Sequence, residues 1–528
     1  MLWADTSNNI LKMRNTANDG WIDLRTLSGG ITSTADATIN SVAVGKGANS
    51  VAGNTVLGET ALDASVSGGN NTAIGKNALT ALTSGATNVA VGASALAANT
   101  TASNNTALGE SALQVNSTGA DNVAVGSGAL DANTTASNNT AVGRNALGEN
   151  TTGSENTAVG TFSLDVNTTG VSNTALGTNA LGANTTANNN TALGREAMVA
   201  NTTGGENVAV GAYALDANTT GANNIGIGVN ALGANTTASG NTAVGRQAML
   251  TNTTGADNSA VGSYSLDANT TGSDNTAMGK AALSNNTTGS DNSAFGKDAL
   301  VSATTADHNT ACGNGSLGNC TTGDNNTAVG SLALHANQTG VSLVGVGYGA
   351  LAANTTANQN VAVGQNSLAS NTTGATNTAV GHDALNANTT ASNNTALGAL
   401  ALAANTTGAD QVAVGRKALT ANTTGNANTA VGVNCLQACT TGDNNTGLGN
   451  SAFDDLTTGS GNVAVGNDTL AKLTTVSNCT AVGYQALTSN TSGRENTAFG
   501  SQCMDGNTDG EFNDAFGRDA LGTGSGFD

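Results

Sequence analysis

The sequence predicts an all-β protein, a β-solenoid (β-roll) of about 28 coils with a period of 17 residues. Three observations predict it. The glycine of T-A-V-G falls at Gly58, Gly75 and Gly92 and keeps that spacing to Gly517, with no insertion or deletion. Side-chain types recur in the same register, so each unit has a fixed inside and a fixed outside. The 528 residues contain no proline, whereas average usage would supply roughly 26. Proline lacks the N–H that a strand ladder needs, so its absence fits an unbroken ladder.

The segment 1–40 stands apart from the repeats. It holds both tryptophans, Trp3 and Trp21, with Lys12, Arg14 and Arg25. Three short strands are expected near 2–4, 10–14 and 21–27, joined by Asn-rich turns. The segment is read as a β-rich cap on the first coil or as a docking segment, with Trp3, Trp21, Arg14 and Arg25 as its candidate contacts. Solenoids need such a cap.

Residues 41–521 are the repeat shaft. The residue before each repeat glycine is apolar, as in Val91 and Val142. The residue four after it is large and apolar, as in Leu96 and Leu147, and the residue three after it is small. Charges gather one, two and five residues after the glycine, as with Arg144, Glu196 and Asp131. T-A-V alternates with period two, as a strand does. Its alanine row gains no charge, so both faces of the strand are expected to be covered, one by the coil and one by another copy of the chain.

Asn-Thr-Thr-Gly closes the unit. Asn-Thr-Thr is also a glycosylation sequon, which would place it outside. Its asparagines are replaced by Leu82, Ala303, Cys320, Cys439, Leu456 and Leu473, and never by a charge. They are therefore read as an inward amide ladder. The expected core ladder is Val91, Leu96 and Asn99 in one unit and Val142, Leu147 and Asn150 in another. Each coil is expected to run short strand, tight bend, short strand, Asn-Thr-Thr corner. At about 4.8 Å per coil, 28 coils give roughly 130 Å. One coil has a thin core, which favours several chains, and a homotrimer is expected.

Composition excludes several functions. The net charge of −20 disfavours nucleic acid and anionic membranes. No apolar run reaches the roughly 20 residues of a membrane span. The start, MLWADTSNN, lacks the pattern of a secretory signal peptide. The six cysteines show no metal-ligand spacing and read as free small hydrophobes, suited to a reducing cytosol. His308, His335 and His382 fall at three different repeat positions. No enzyme, cofactor or metal is expected.

N-T-A-V-G-x-x-A-L resembles the repeats in head domains of trimeric bacterial adhesins and in tail fibres of bacteriophages. The resemblance covers about 41–521. It implies a left-handed β-roll, three chains around one axis and a surface presented to a cell. The segment 1–40 resembles short N-terminal segments of phage virion proteins. The secretion signal, stalk and anchor of adhesins, and the chaperone domain of many fibres, are not visible in this sequence.

The expected function is therefore a phage virion fibre, serving host attachment or acting as a spacer. Its partners are its own copies, a virion tail or capsid protein at the N-terminus, and a host receptor of unknown identity. The expected location is the virion, assembled in the host cytoplasm. The alternative is a cell-surface adhesin or extracellular filament subunit. An ice-binding solenoid ranks below both, because its threonines are adjacent and are expected to point to opposite sides. Phe512 and Phe527, off the core rows, mark a candidate distal tip before the tail 522–528. Phe453, Phe499 and Phe516 are expected to pack on core rows.

Overall fold

The computed structural model describes residues 2–5, 10–14, 21–26 and 36–522. The chain divides into two compact units, Met1–Glu206 and Asn207–Asp528. Each is described by itself.

The first unit opens with three antiparallel strands, β1 (Leu2–Asp5), β2 (Ile10–Arg14) and β3 (Trp21–Thr26), in the order β1-β2-β3. They fall where the Asn-rich turns placed them. A hairpin follows, β4 (Ala37–Ile39) and β5 (Val42–Gly45), and β5 runs antiparallel to β6 (Thr55–Gly58). The regular ladder therefore begins at β6, and a hairpin occupies its first edge. The Asp36 carboxylate accepts the backbone N–H groups of Lys46 and Gly47 at 2.6 Å each, which holds that hairpin down.

From β6 to β14 (Thr191–Leu193) the strands are parallel, each paired with its equivalent in the next coil, as Thr55 with Thr72 and Thr174 with Thr191. The second unit repeats the pattern from β15 (Val208–Val210) to β33 (Asp514–Phe516), again parallel and in register. Both units are all-β solenoids, and their inter-coil bonds keep the 17-residue period. At the usual strand spacing, the 19 strands of the second unit stack over about 90 Å.

The coil Asn139–Glu155 serves for all of them. Only Thr140–Val142 is a strand. The second strand expected in each coil is absent. Asn145, Leu147 and Glu155 instead take positive φ of 52°, 53° and 64°. Such residues turn the chain inward twice around Ala146, which is fully buried with Leu147. L-residues pay on the order of 1 kcal/mol each for that conformation. Hydrogen bonds between coils offset it. Leu147 N–H donates to Ser163 O at 3.0 Å, Glu149 to Asp165 O at 2.9 Å and Thr151 to Thr168 O at 3.0 Å.

Gly143 has φ of 140°, and an added Cβ would lie 2.4 Å from Gly160 O in the next coil. Conformation and space both require glycine there. The closing glycine, Gly153, does not take positive φ. Alanine stands in the same row at Ala136, although a Cβ on Gly153 itself would lie 2.2 Å from Gly170 O.

Two asparagine ladders fill the polar part of the core. Asn150 Nδ2 donates to Asn133 Oδ1 in the preceding coil (3.1 Å) and to Gly153 O in its own coil (2.9 Å). Asn139 Nδ2 reaches the same Gly153 O at 3.0 Å, and Asn139 Oδ1 accepts the Asn156 N–H at 2.9 Å. Each of these two amides thus joins two coils and closes one. The Asn-Thr-Thr asparagines, Asn150 and its equivalents, are buried. The second ladder, headed by Asn139, is not among the rows that the sequence singles out.

In the Asn139 row a replacement leaves the preceding oxygen bonded, since Leu343 and Cys479 still donate their backbone N–H to Asn326 and Asn462, but in the Asn150 row it can orphan the preceding oxygen. Asn286 Oδ1 and Asn422 Oδ1 are buried without a hydrogen-bond partner, and the next coils offer Ala303 and Cys439. Gln411 is a conservative replacement: its longer amide still donates to Gly425 O.

Two outcomes are expected. Gly143→Ala should destroy amide-exchange protection at 157–160, read by hydrogen exchange. Ala303→Asn with Cys320→Asn completes the ladder from Asn286 to Asn337. It should raise local opening free energy by about 1 kcal/mol. Ala303→Asn alone only moves the orphaned oxygen one coil along, and should gain nothing.

Candidate interaction face

The strand alternation decides which row faces where. Ala141 is fully buried, and Thr140 and Val142 point out of the coil. Val91 and Val142 are half-buried on this outer side, so they are not part of the coil's own core. Leu96, Asn99, Leu147 and Asn150 are fully buried. The outward row keeps its apolar character throughout, with Leu108 47% exposed among its larger members. The smaller residue lies inside because Leu147 and its equivalents already fill the narrow interior.

No charge stands on this face, at the Thr140 or the Val142 position, from Thr72 to Phe499. Phe499 and Phe516 belong to it, contrary to the packed core position expected for them. Their rings stack at 5.5 Å with planes 7° apart, and Phe516 is 69% exposed. Phe453 is fully buried, as expected.

Two charged rows flank the face. The row after the repeat glycine carries Lys76, Arg144 and their equivalents, and is exposed. The row before the buried asparagine carries Asp121, Glu155 and their equivalents, also exposed. Arg144 and Arg246 lie over the rings of Phe162 (4.6 Å) and Tyr264 (5.5 Å) in the next coil. Their stems are thereby ordered along the ladder.

The other candidate positions are dispersed. Trp3 pairs with Lys12, and Trp21 with Arg14, in strand register, while Arg25 falls at the irregular end of that pairing. Only the backbone of these residues is described. Phe512 is exposed, with Arg494 Cζ 5.4 Å above its ring. Phe527 lies outside the described residues. His308 contacts Asp291, and His382 contacts Asp383. No group of three or more His, Cys, Asp or Glu among the described residues could hold a metal ion. No described helix is long and apolar enough to cross a membrane.

The cysteines are unpaired. Burial pushes the Cys435 thiol up to about 12 and those of Cys320 and Cys439 to about 11. Thiols so raised are unreactive at neutral pH. Cys312 is exposed, on the outward face.

Both Thr-Thr rows lie at the surface. Thr151 is half-buried and Thr152 exposed, because the corner is not extended chain. The extended geometry assumed for adjacent threonines therefore does not apply at this corner. Thr151 Oγ1 donates to Thr168 O at 3.0 Å, so that row's donors serve the ladder.

Comparison with protein-family models, curated proteins and solved structures finds no match to this chain.

Asp165 carries a raised carboxyl pKa, caused first by desolvation and then by Glu149 and Asp131. Because the folded state holds the proton more tightly, ionisation opposes folding above the raised value. That penalty fades as pH falls and is gone below the ordinary value of 3.8. Asp165→Asn should therefore increase exchange protection of its coil at pH 7 and leave it unchanged at pH 3.

Proposed function

We propose that this chain is a non-enzymatic fibre subunit of a phage virion, used for host attachment or as a spacer. One observation carries the reading: an apolar outer row that stays free of charge over successive coils. Monomeric soluble proteins rarely leave such a surface uncovered. A contact surface that keeps its character from coil to coil suits association of several copies, here a homotrimer, around that face. The resemblance of N-T-A-V-G-x-x-A-L to fibre and adhesin-head repeats supports the same assignment.

In this reading the three-stranded sheet with Trp3, Trp21, Arg14 and Arg25 docks on a virion tail or capsid protein. The end bearing Phe512 and Phe516 faces the host. Aromatic groups left exposed at an end suit recognition.

Light scattering on the purified protein should give three times the 51.0 kDa chain mass. A single-chain mass would remove the trimer. Immunogold microscopy of the source culture tests the assignment itself. Label is expected on virus particles. Label confined to the cell envelope would transfer the chain to the adhesin class.

A further inference from the structure

We propose that the two charged rims of the outward face dock a second copy of this chain in parallel and in register, acidic rim against basic rim. This rests on the self-association reading above and adds to it a direction and a pairing rule.

The rims differ in sign. From Gly58 onward, the row after the repeat glycine carries eight Lys or Arg and two Glu. The row five before the repeat glycine carries eight Asp or Glu and no Lys or Arg. One edge of the apolar strip is thus basic and the other acidic. Lys76 pairs with Glu59 along its own rim at 3.2 Å, and Lys297 with its sequence neighbour Asp298 at 3.2 Å. Neither pair uses up the contrast between rims.

Symmetry turns that contrast into a direction. Two copies facing each other across a two-fold parallel to the ladder bring each acidic rim opposite a basic rim. Three copies around an axis parallel to the ladder do the same in a ring. A two-fold perpendicular to the ladder runs the copies antiparallel and sets acid on acid and base on base. Like-charge juxtaposition across an interface is strongly unfavourable.

Register follows from position. Asp274, Asp291 and Asp410 share their strands with Lys280, Lys297 and Arg416. The other five acids of that rim each have a Lys or Arg of the basic rim one strand away, as Glu155 has Arg144. A copy placed in register therefore meets an opposite charge at every acidic step, on the same strand or the next. The strip is also wide enough. Each three-residue strand offers about 10 Å by about 4.8 Å, so the 18 strands of the second unit from Val208 to Phe499 alone offer about 860 Å² per copy. A standard interface uses about 800 Å² per partner.

Cys312 provides the readout, since it is exposed on this face while the other cysteines are buried. The full-length protein is treated with a short bismaleimide, natively and as two variants. These are Cys312→Ser with Val142→Cys and Cys312→Ser with Val414→Cys. Parallel in-register copies bring each of the three rows onto itself, so all three proteins should cross-link into covalent multimers. Antiparallel copies can bring at most one row onto itself. Cross-linking at one row or none, in protein that scatters as a multimer, would overturn the proposal and leave self-association standing. Single-chain scattering would overturn both.

Charge reversal gives an independent arm. Lys280→Glu, Lys297→Glu and Arg416→Glu together should raise the concentration needed for assembly roughly tenfold. Adding Asp274→Lys, Asp291→Lys and Asp410→Lys should restore it. Failure of the second set to rescue the first would contradict rim-to-rim pairing.

Discussion

The side-chain amides of the buried asparagines set the terms for everything else in this protein. A primary amide sealed in a core needs partners for its oxygen and its two hydrogens. Asn150 donates to the coil before it and to the closing corner of its own coil and accepts from Asn167 in the coil after it, and Asn139 uses the same corner carbonyl from the other side. These bonds exist only while consecutive laps are the same length. A lap lengthened or shortened by even a single position would slide the amide away from its neighbour and leave it unpaired. Fidelity of period is thus a consequence of chemistry inside the coil, and the orphaned oxygens of Asn286 and Asn422 mark where a single replacement breaks the chain of partners.

Holding that lap length has a conformational cost. So short a coil must turn sharply, and it does so with left-handed residues at Asn145, Leu147 and Glu155 and an extended positive-φ glycine at Gly143. Leucine is a poor choice for that backbone on its own. It is retained because its side chain is a large apolar group inside the coil, and burying it contributes about 1.5–3 kcal/mol per coil. Glycine appears at the equivalents of Asn145 and Glu155 (Gly128 and Gly240, both with positive φ), where no core side chain is needed. Small, strained, cooperative units of this kind gain stability from neighbours rather than from themselves.

The sequence made the period, the buried leucines and the corner asparagines readable, because each row excludes charge and tolerates only certain sizes. It also placed the three N-terminal strands. Other features were hidden for physical reasons. Alternation in T-A-V shows that alanine and valine face opposite ways, but not which is inside, and the usual preference for the larger residue in the core points the wrong way here. The left-handed leucines run against local propensity, so no propensity argument finds them. The opposition expected of adjacent threonines assumed extended chain, and the corner is bent. The asparagine that opens each coil carried a signal that was available: its substitutes are Leu343, Gln411 and Cys479, none of them charged.

Turning alanine inward leaves the valine row outside, and the proposed function follows from that exchange. A chain whose coils each present the same uncharged strip is suited to bind something equally repetitive, and its own copies are the simplest such partner. The most direct measurement is a high-resolution density map of the protein. Asn133, Asn150 and Asn167 should lie one above another at about 4.8 Å, with side-chain amides in mutual contact. Helical density, or those three asparagines standing apart in solvent, would contradict the amide ladder and the coil built on it.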